Sequence, residues 1–569
     1  MNQKLATILY ELSVLYELKG VAFKPRALER ASAVIAALGE DVADIYKRDG
    51  LEGLEHIPGV GKGIADRIVE YITTKHVREY DALKKKLPVD IAGIMAIEGI
   101  GPKTLRLLYA KLGITTRAKL EKFARAGRLA GVRGIGEKGE QRILRAIGYL
   151  AQLQNRFSPG LIWTQIRDIA DRVESWPQVK ELELVGSLRR MQETIGDLDL
   201  LAVSDDTEDT LRRFVSLPQV RSVYTHGERN ARVRLKMGID ADLWVVPQES
   251  YGAALIAWTG DKAHNIHLRT IAKKKGYLLD DYGLFKGTKA VAGDTEQSVY
   301  KKLGMQHIPP ELRTDSGEIE AALNGELPAV VGYGDIKGDL QVQTDWTDGQ
   351  DSILTMAKAA RSLGLEYIAI TDHTKSLTIA HGLDAIRIRK QWAEIDRVQK
   401  QLSGIRILKG TECDIKKDGT LDLPDEILAQ LAVVGISVHS HFDLPEPIQT
   451  QRLIRAMENP YAHIVFHPTG RLIGRRSGYA VDIQTLLKAA KRTHTVMEIN
   501  AHPGRLDLND QHIRAALSLG VRLSIDTDAH AVGELGYMQW GIGQARRGWA
   551  QKRDIINTRP WKQMLKLLK

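Results

Sequence analysis

Acidic residues follow a glycine-containing turn in the first half of the 569-residue chain. The segment is Gly186-Ser-Leu-Arg-Arg-Met-Gln-Glu-Thr-Ile-Gly-Asp-Leu-Asp. Asp197 and Asp199 alternate along a predicted strand and so project from one face, and Asp242 lies on a neighbouring predicted strand. Three carboxylates on one sheet face can hold two magnesium ions, which promote in-line phosphoryl transfer. Asp-x-Asp pairs are common on surface strands; the glycine turn and Arg190, which can bind triphosphate oxygens, favour the catalytic interpretation.

Histidine and acidic residues recur at the ends of apolar segments in the last 235 residues, where ten of the sixteen histidines lie beyond Gly334. Five such segments end in a metal-type ligand, at His373, Glu412, His439, His467 and Asp528-Ala-His530. A single histidine of this kind is more often a packing residue. Five strand ends in succession instead favour parallel strands that place a metal site at the carboxyl rim of a barrel.

The first 150 residues are predicted to form short helices that are separated by glycine turns. Three Gly-apolar-Gly turns precede predicted helices, at Gly59 and Gly61, at Gly99 and Gly101, and at Gly134 and Gly136. Lys62, Lys103 and Lys138 stand just beyond them. The region holds 26 Lys and Arg against 18 Asp and Glu. Amides at a helix N-terminus bind phosphate, so the repeat predicts non-specific DNA binding by helix-hairpin-helix elements.

Composition excludes several classes of protein. The net charge is +10, and Cys413 is the one cysteine, which excludes an intrachain disulfide and argues against a thiolate zinc site. No apolar run is long enough to span a bilayer, and Glu11 and Glu17 interrupt the first apolar segment. We therefore expect a soluble cytoplasmic protein without membrane contact.

The Gly186 to Asp199 segment resembles the nucleotidyltransferase signature of family X DNA polymerases, the family of DNA polymerase beta, and the similarity extends from the N-terminal hairpins to about residue 310. The resemblance implies that Asp197, Asp199 and Asp242 are the catalytic metal ligands for Mg²⁺ or Mn²⁺. It implies that the incoming nucleotide binds at Gly186, Ser187, Arg190, Gly196, Trp258, Gly260 and Asn265. Asn265 would also contact the DNA minor groove, and Arg269 would contact the template strand. Trp258 and Gly260 would form the wall beside the sugar and base.

Two positions depart from the family pattern. Arg67 stands where a lyase lysine can occur, and a guanidinium cannot form the Schiff base, so we expect no deoxyribose-phosphate lyase activity. Ala257 precedes Trp258 where a tyrosine often crowds the sugar 2′ position. Weaker exclusion of ribonucleotides is expected.

The last 235 residues resemble the polymerase and histidinol phosphatase (PHP) domain, a distorted seven-stranded barrel that binds three metal ions and is used for 3′–5′ exonucleolysis in bacterial family X polymerases. The residues that match its ligands are Asp348, His373, Glu412, His439, His467, Asp528 and His530. The family's first His-x-His motif is replaced by Gln341 and Gln343. We therefore expect Mn²⁺, Zn²⁺ or Fe²⁺ at fewer than three positions and impaired exonucleolysis.

The predicted fold is a multidomain α/β chain with a helix-hairpin-helix region, an α+β palm and thumb, and a (β/α)7 barrel. Palm strands are predicted at residues 182–185, 198–203, 233–236 and 241–246. The expected domains are a helical DNA-binding domain (1–92), a fingers-like domain (93–155), the palm (156–247), the thumb (248–318), a linker (319–334) and the barrel (335–569).

The predicted function is template-directed, gap-filling DNA synthesis in repair by a nucleoid-associated monomer that binds gapped or primer-template DNA and deoxynucleoside triphosphates. Template-independent nucleotide addition is the alternative enzymatic function. A DNA-end-bridging scaffold with vestigial sites is the alternative of another class. The intact Asp197, Asp199 and Asp242 disfavour the scaffold.

Overall fold

The computed structural model describes residues 1–21, 23–38, 40–97, 99–152 and 156–569. The chain forms two units, one of residues 1–154 with 474–477 and one of residues 155–473 with 478–569. The predicted domain boundary at residue 155 lies outside the described residues. Among those that are described, no helix combines the length and the hydropathy that crossing a bilayer requires.

The first unit is helical, as the glycine turns predict. Its helices are α1 (Asn2–Leu18), α2 (Lys24–Ala37), α3 (Val42–Glu55), α4 (Lys62–Thr74), α5 (Arg78–Lys86), α6 (Ile91–Met95), α7 (Pro102–Leu112), α8 (Arg117–Arg125) and α9 (Gly136–Gln152). Leucine and isoleucine side chains spaced three or four residues apart form its core, among them Leu5, Leu9, Leu12 and Ile68.

The second unit begins with the palm. Its elements are α10 (Trp163–Glu174), β1 (Val179–Leu184), α11 (Gly186–Arg189), β2 (Asp197–Ser204), α12 (Thr207–Val215), β3 (Val220–His226), β4 (Asn230–Leu235) and β5 (Asp240–Val246). The sheet order is β1-β2-β5-β4-β3, with β2 and β5 parallel and the other pairs antiparallel. The four predicted strands are confirmed, and β3 was not predicted.

Alternation along β2 separates the core from the acidic face. Leu198 and Leu200 are fully buried in the palm core, whereas Asp197 and Asp199 point to the opposite face. The polar and apolar positions of one strand therefore fix which face of the sheet can receive a ligand.

The thumb follows the palm. Its elements are α13 (Tyr251–Thr259), α14 (Lys262–Lys274), β6 (Leu278–Leu279), β7 (Leu284–Lys286), β8 (Lys289–Ala292), α15 (Glu296–Lys302) and α16 (Glu318–Asn324). Arg189 joins palm and thumb, because its guanidinium pairs with Glu296 at 2.9 and 3.0 Å. Glu296 also accepts a hydrogen bond from the fully buried Arg313 at 2.7 Å.

The C-terminal part is a parallel barrel. Its strands are β9 (Gly338–Val342), β10 (Tyr367–Ile370), β11 (Arg406–Asp414), β12 (Val433–Ser437), β13 (Ile464–Val465), β14 (Val496–Asn500) and β15 (Leu523–Asp526). Its helices are α17 (Ile353–Ser362), α18 (Ala385–Gln401), α19 (Asp425–Leu428), α20 (Glu446–Met457), α21 (Ile483–Thr493), α22 (Asp510–Ser518), α23 (Met538–Arg547) and α24 (Trp561–Leu565). Neighbouring strands pair in the order β15 to β9, and a parallel bridge from Val342 to Ala529 nearly closes the ring. The expected (β/α)7 barrel is confirmed.

The palm core continues into the barrel. Trp540 of α23 packs in the palm cluster, with its ring perpendicular to that of Trp163 at a centroid distance of 5.4 Å. Leu506, in the loop after β14, belongs to the same cluster and is buried. Palm and barrel therefore share one apolar core.

Candidate functional site

Three carboxylates converge on one face of the palm sheet, on the neighbouring strands β2 and β5. The register of β2 and β5 sets Asp199 beside Asp242, and Asp197 stands two residues away on the same face of β2. Oxygens of Asp197, Asp199 and Asp242 lie within 4.8 Å of one another. The structure thus brings together the three acidic residues that the sequence analysis selected.

The carboxylates repel one another. Burial, together with the negative charges of Asp197 and Asp242, raises the pKa of Asp199 to about 7. Burial also raises the pKa of Asp242, although Arg232 lies 3.6 Å away and opposes the shift. A partly buried group of three acids with this little compensation suits divalent cations, and carboxylate oxygens are the donors that Mg²⁺ and Mn²⁺ prefer.

Gly186 lies directly against this carboxylate group. It has φ +64°, and a Cβ built on it would lie 1.9 Å from Asp199 Oδ2. The residue is the first of α11, a one-turn helix, where the sequence analysis expected only a tight turn. Glycine is therefore required both by the backbone conformation and by the approach of Asp199.

The arginine at the end of α11 faces the thumb. The Arg190 guanidinium donates a hydrogen bond to the Thr259 carbonyl, and a Cβ on Gly260 would be 2.9 Å from Arg190 Nη1. Burial lowers the pKa of Arg190, against the opposing charges of Asp261 and Asp199. Arg190 and Gly260 thus lie together. Ser187, on α11, and Gly196, just before β2, are half-buried.

The thumb residues differ in how close they lie to the acidic face. Trp258 stacks on Trp244 with ring centroids 3.8 Å apart. Trp244 lies two residues after Asp242 on β5, so the two side chains lie on the same face of the sheet. Asn265 donates to the Ala257 carbonyl at 2.9 Å. Arg269 is exposed on α14. Trp258 is therefore next to the acidic face, while the side chain of Asn265 is engaged with its own domain.

The helical unit holds two matching glycine turns. Gly59 and Gly99 have φ +82° and +88°, and Gly61 and Gly101 are N-caps with φ −92° in both cases. No side chain of the described residues caps α4 or α7, so their N-termini are open to an anion.

The third turn is different. Gly136 has φ +64°, and the buried Glu140 carboxylate accepts hydrogen bonds from the amides of Leu129 and Ala130 at 3.0 and 2.7 Å. Two of the three predicted turns thus share one geometry, and backbone amides beside the third already bind a protein carboxylate.

Glu412, on β11, is the centre of the second group of ligands. Its Oε1 accepts from His467 Nε2 at 2.8 Å and lies 3.2 Å from His439 Nε2. Its Oε2 accepts from Gln341 Nε2 at 3.0 Å and from Gln343 Nε2 at 2.9 Å. Burial opposes ionisation, but His373 and His439 hold the pKa of Glu412 well below its usual range. The carboxylate therefore has protein partners on both oxygens.

Two overlapping sets of barrel residues have metal-binding geometry. Ligand atoms lie within 4.8 Å of one another in Asp348, His373 and His530, and again in His373, Glu412 and His439. Imidazole and carboxylate donors in these sets fit Mn²⁺, Zn²⁺ or Fe²⁺. Asp528 instead forms an ion pair with Arg505 at 3.2 Å.

The first motif does not fit a metal ion as it stands. Gln341 and Gln343 present N–H groups to Glu412, and the Gln341 oxygen accepts from Asn500 at 3.2 Å. Turning either amide would set its oxygen against the carboxylate. The N–H groups of the two glutamines therefore take the place beside Glu412 Oε2 that a metal cation would otherwise have.

Four family models match parts of the chain. They are a helix-hairpin-helix domain at residues 1–77, a SAM-like helix-hairpin-helix tandem at 93–148, the DNA polymerase beta thumb at 254–314 and the PHP domain at 339–502. The chain is 35% identical over 567 residues to the DNA polymerase/3′-5′ exonuclease PolX of Bacillus subtilis, covering 99% of this chain and 98% of that protein.

The chain belongs to the PolX-type family X DNA polymerases. Other relatives match shorter parts of it. DNA polymerase lambda of Arabidopsis thaliana is 28% identical over 47% of this chain and 54% of its own length. A probable phosphatase of Caldanaerobacter subterraneus is 30% identical over 32% of this chain and 72% of its own length. Each of these relatives therefore resembles only part of the PolX-type chain.

Several barrel residues of this PolX-type chain were missed from the sequence. Asn500 donates to Asp528 at 3.3 Å and to Glu498 at 3.2 Å, and Arg505 neutralises Asp528. The signal was present, because residues 496–500 read Val-Met-Glu-Ile-Asn, another apolar segment that ends in a polar side chain. This segment ends in an asparagine, whereas the other strand ends carry a histidine or an acidic residue.

Proposed function

We propose that this PolX-type chain is a template-directed DNA polymerase that fills short gaps during DNA repair. The observation that supports this most directly is the convergence of Asp197, Asp199 and Asp242 beside the Gly186 turn. Two bound Mg²⁺ or Mn²⁺ ions would lower the pKa of the primer 3′-hydroxyl and stabilise charge on the transferring phosphate. Asp197, Asp199 and Asp242 would hold them.

The remaining palm and thumb residues would orient the nucleotide. Close approach at Gly186 lets backbone amides reach the phosphates, with Ser187 and Gly196 beside them. Arg190 offers a cationic fork for the triphosphate. In this proposal Trp258 and Gly260 border the sugar and base, Asn265 contacts the minor groove, and Arg269 contacts the template.

The helical unit would bind DNA without regard to sequence. The open helix N-termini behind Gly59 and Gly61 and behind Gly99 and Gly101 suit backbone phosphates, and Lys62 and Lys103 add charge. We propose a monomer that works at the nucleoid in the cytoplasm. We also propose the division into domains at 1–92, 93–155, 156–247, 248–318, 319–334 and 335–569.

Primer extension on a gapped duplex tests this function. Wild-type protein with Mg²⁺ or Mn²⁺ should insert the nucleotide that the template specifies and stop when the gap is filled. Extension of a single strand that has no template, at a similar rate, would support the template-independent alternative instead. If the protein binds DNA but adds no nucleotide, the result would support the alternative of a DNA-end-bridging scaffold with vestigial sites.

For the barrel we propose weak 3′–5′ exonucleolysis with metal at no more than two positions. The supporting observation is the pair of amide hydrogen bonds from Gln341 and Gln343 to Glu412. A glutamine oxygen is a neutral and poorer ligand than imidazole for Mn²⁺, Zn²⁺ or Fe²⁺, and both amides direct an N–H group at Glu412. Asp348, His373, His439 and His530 would hold the ions that remain, with less positive charge beside the scissile phosphate.

A further inference from the structure

The turn of residues 190–193 connects α11 to the strand of the catalytic carboxylates. Arg190 begins it, and Asp197 follows four residues after it ends. Within the palm, the Met191 amide donates to the Leu188 carbonyl at 2.9 Å and the Gln192 amide to the Ser187 carbonyl at 3.1 Å. Met191 has φ +51°, a conformation that a non-glycine residue keeps only when its surroundings hold it.

Those surroundings belong to the barrel. Arg547 Nη1 donates to the Arg190 carbonyl at 3.0 Å, and Gln544 Nε2 donates to the Met191 carbonyl at 3.0 Å. Arg471 forms a two-pronged ion pair with Glu193 at 3.0 and 2.6 Å. Three of the four residues in the turn are thus bound by side chains that lie more than 270 residues away in sequence.

The barrel groups are themselves fixed. Gln544 and Arg547 are 1% and 7% exposed, and Arg547 also pairs with Asp510. A Cβ on Gly543 would lie 2.6 Å from Met191 Cε, so helix α23 and the turn are in close contact. Because the donors and the packing surface are both buried, they hold the Arg190 and Met191 carbonyls at defined positions.

From these contacts we infer that Arg547, Gln544 and Arg471 of the PHP barrel are positioning residues for the polymerase reaction. Arg547 and Gln544 act through the backbone carbonyls of Arg190 and Met191, and Arg471 acts through the side chain of Glu193. This inference rests on the proposed polymerase function. It makes the barrel a structural part of the nucleotide site, whatever the barrel itself hydrolyses.

The expected effect is on nucleotide binding. Arg190 contacts the triphosphate before and during the reaction, so a displaced Arg190 raises the KM for the nucleotide while kcat stays nearly constant. Loss of one buried hydrogen bond to its backbone should raise KM about tenfold. DNA affinity should not change, because the turn carries none of the proposed DNA contacts.

The experiment measures single-nucleotide insertion into a one-nucleotide gap, DNA binding by fluorescence anisotropy, and thermal unfolding. Arg547→Met keeps the aliphatic stem and removes the donors, and Arg547→Lys should restore part of the loss. Arg452→Met is the matched control, because Arg452 is a buried arginine that bonds the carbonyls of Lys416 and Ser440 inside the barrel. It should alter barrel stability and leave the nucleotide KM unchanged.

A charge exchange provides a second route if Arg547→Met does not fold. Glu193→Arg and Arg471→Glu should each raise KM, and the double variant should recover most of the loss, since only the double variant can reform the ion pair.

The outcomes are distinct. A raised KM in Arg547→Met with an unchanged KM in Arg452→Met supports the inference. Any of three results would overturn it. The KM could be equal in wild type and folded Arg547→Met, or it could rise equally in Arg547→Met and Arg452→Met. The third is a Glu193→Arg, Arg471→Glu double variant that recovers none of the lost nucleotide affinity. A wild-type protein that inserts no nucleotide overturns the proposed function, and this inference with it.

Discussion

The palm carboxylates and the barrel carboxylate Glu412 differ in what already neutralises them. In the palm, three acids face one another with Arg232 at 3.6 Å from one of them, and the pKa of Asp199 rises to about 7. In the barrel, Glu412 receives two amide hydrogen bonds and lies beside three histidines. The palm group therefore keeps most of its carboxylate repulsion uncompensated by the protein, whereas the central carboxylate of the barrel is satisfied by protein groups.

Removal of a palm carboxylate should have the largest effect. Asp197→Ala or Asp242→Ala should reduce primer extension below about one-thousandth of the wild-type rate, because each loses a metal ligand. Thermal unfolding should show an intact fold, since each removal relieves repulsion in a partly exposed group. Asp240→Asn is the control, because Asp240 pairs with Arg234 at 2.8 Å and lies outside the group of three. Retained extension by either alanine variant would refute the assignment.

Gly186→Ala should be the next most severe change. The new methyl group would displace the Asp199 carboxylate, and misplacement of a reacting group by about 1 Å costs about 100-fold in rate. Gly287→Ala imposes a similar backbone penalty, at φ +61°, with no heavy atom within 4 Å of the new carbon. Steady-state extension rates compare the two, and equal losses would show that backbone strain, not the carboxylate, is responsible.

The barrel half of the comparison can be tested by restoring imidazole. Gln341→His with Gln343→His should add about one bound metal per chain by elemental analysis and raise 3′–5′ exonuclease activity about tenfold. Gln341→Leu with Gln343→Leu is the control, because it removes the amide donors and provides no ligand. If the wild-type protein already holds three ions and degrades DNA as fast as the histidine variant, the glutamines are harmless.

The smallest effect is expected at the glycine turns of the helical unit. There the uncapped helix N-termini of the first two turns can be compared with the third turn, where Glu140 binds neighbouring amides. Lys62→Gln or Lys103→Gln should weaken binding to all duplex sequences about fivefold near 0.15 M salt and lower the salt slope by about one unit. Lys138→Gln should change binding less, because Glu140 already binds amides beside the third turn. Anisotropy titrations at several salt concentrations give both quantities, and a sequence-selective loss would contradict non-specific binding.

Local patterns were sufficient to predict much of this molecule from its sequence. The alternation of Asp197 and Asp199 with apolar leucines predicted the strand and its acidic face. The histidine and acidic residues that recur at the ends of apolar segments predicted the barrel and its carboxyl rim. Strand β3 was missed because its side chains are mostly exposed, so no apolar alternation marks it. The different geometry of the third turn could not be predicted, because glycine spacing does not specify the sign of φ at Gly136.

Other features could not be predicted because they depend on contacts between residues distant in sequence. The direction in which the Gln341 amide points is decided by Glu412 and Asn500, which no spacing around residue 341 reveals. The pair of Arg471 with Glu193 spans 278 residues. Neither residue of this ion pair lies in a local pattern that would reveal its partner.

The bonds from Arg547, Gln544 and Arg471 to the palm turn also bear on how such a chain can evolve. If nucleotide incorporation depends on these bonds, as inferred above, selection for DNA synthesis would preserve the barrel even in a chain whose barrel had lost its hydrolytic activity. Substitutions that erase nuclease activity are then tolerated, whereas deletion of the gene segment for the barrel is not. The glutamine motif and an otherwise complete barrel can therefore persist together in one lineage.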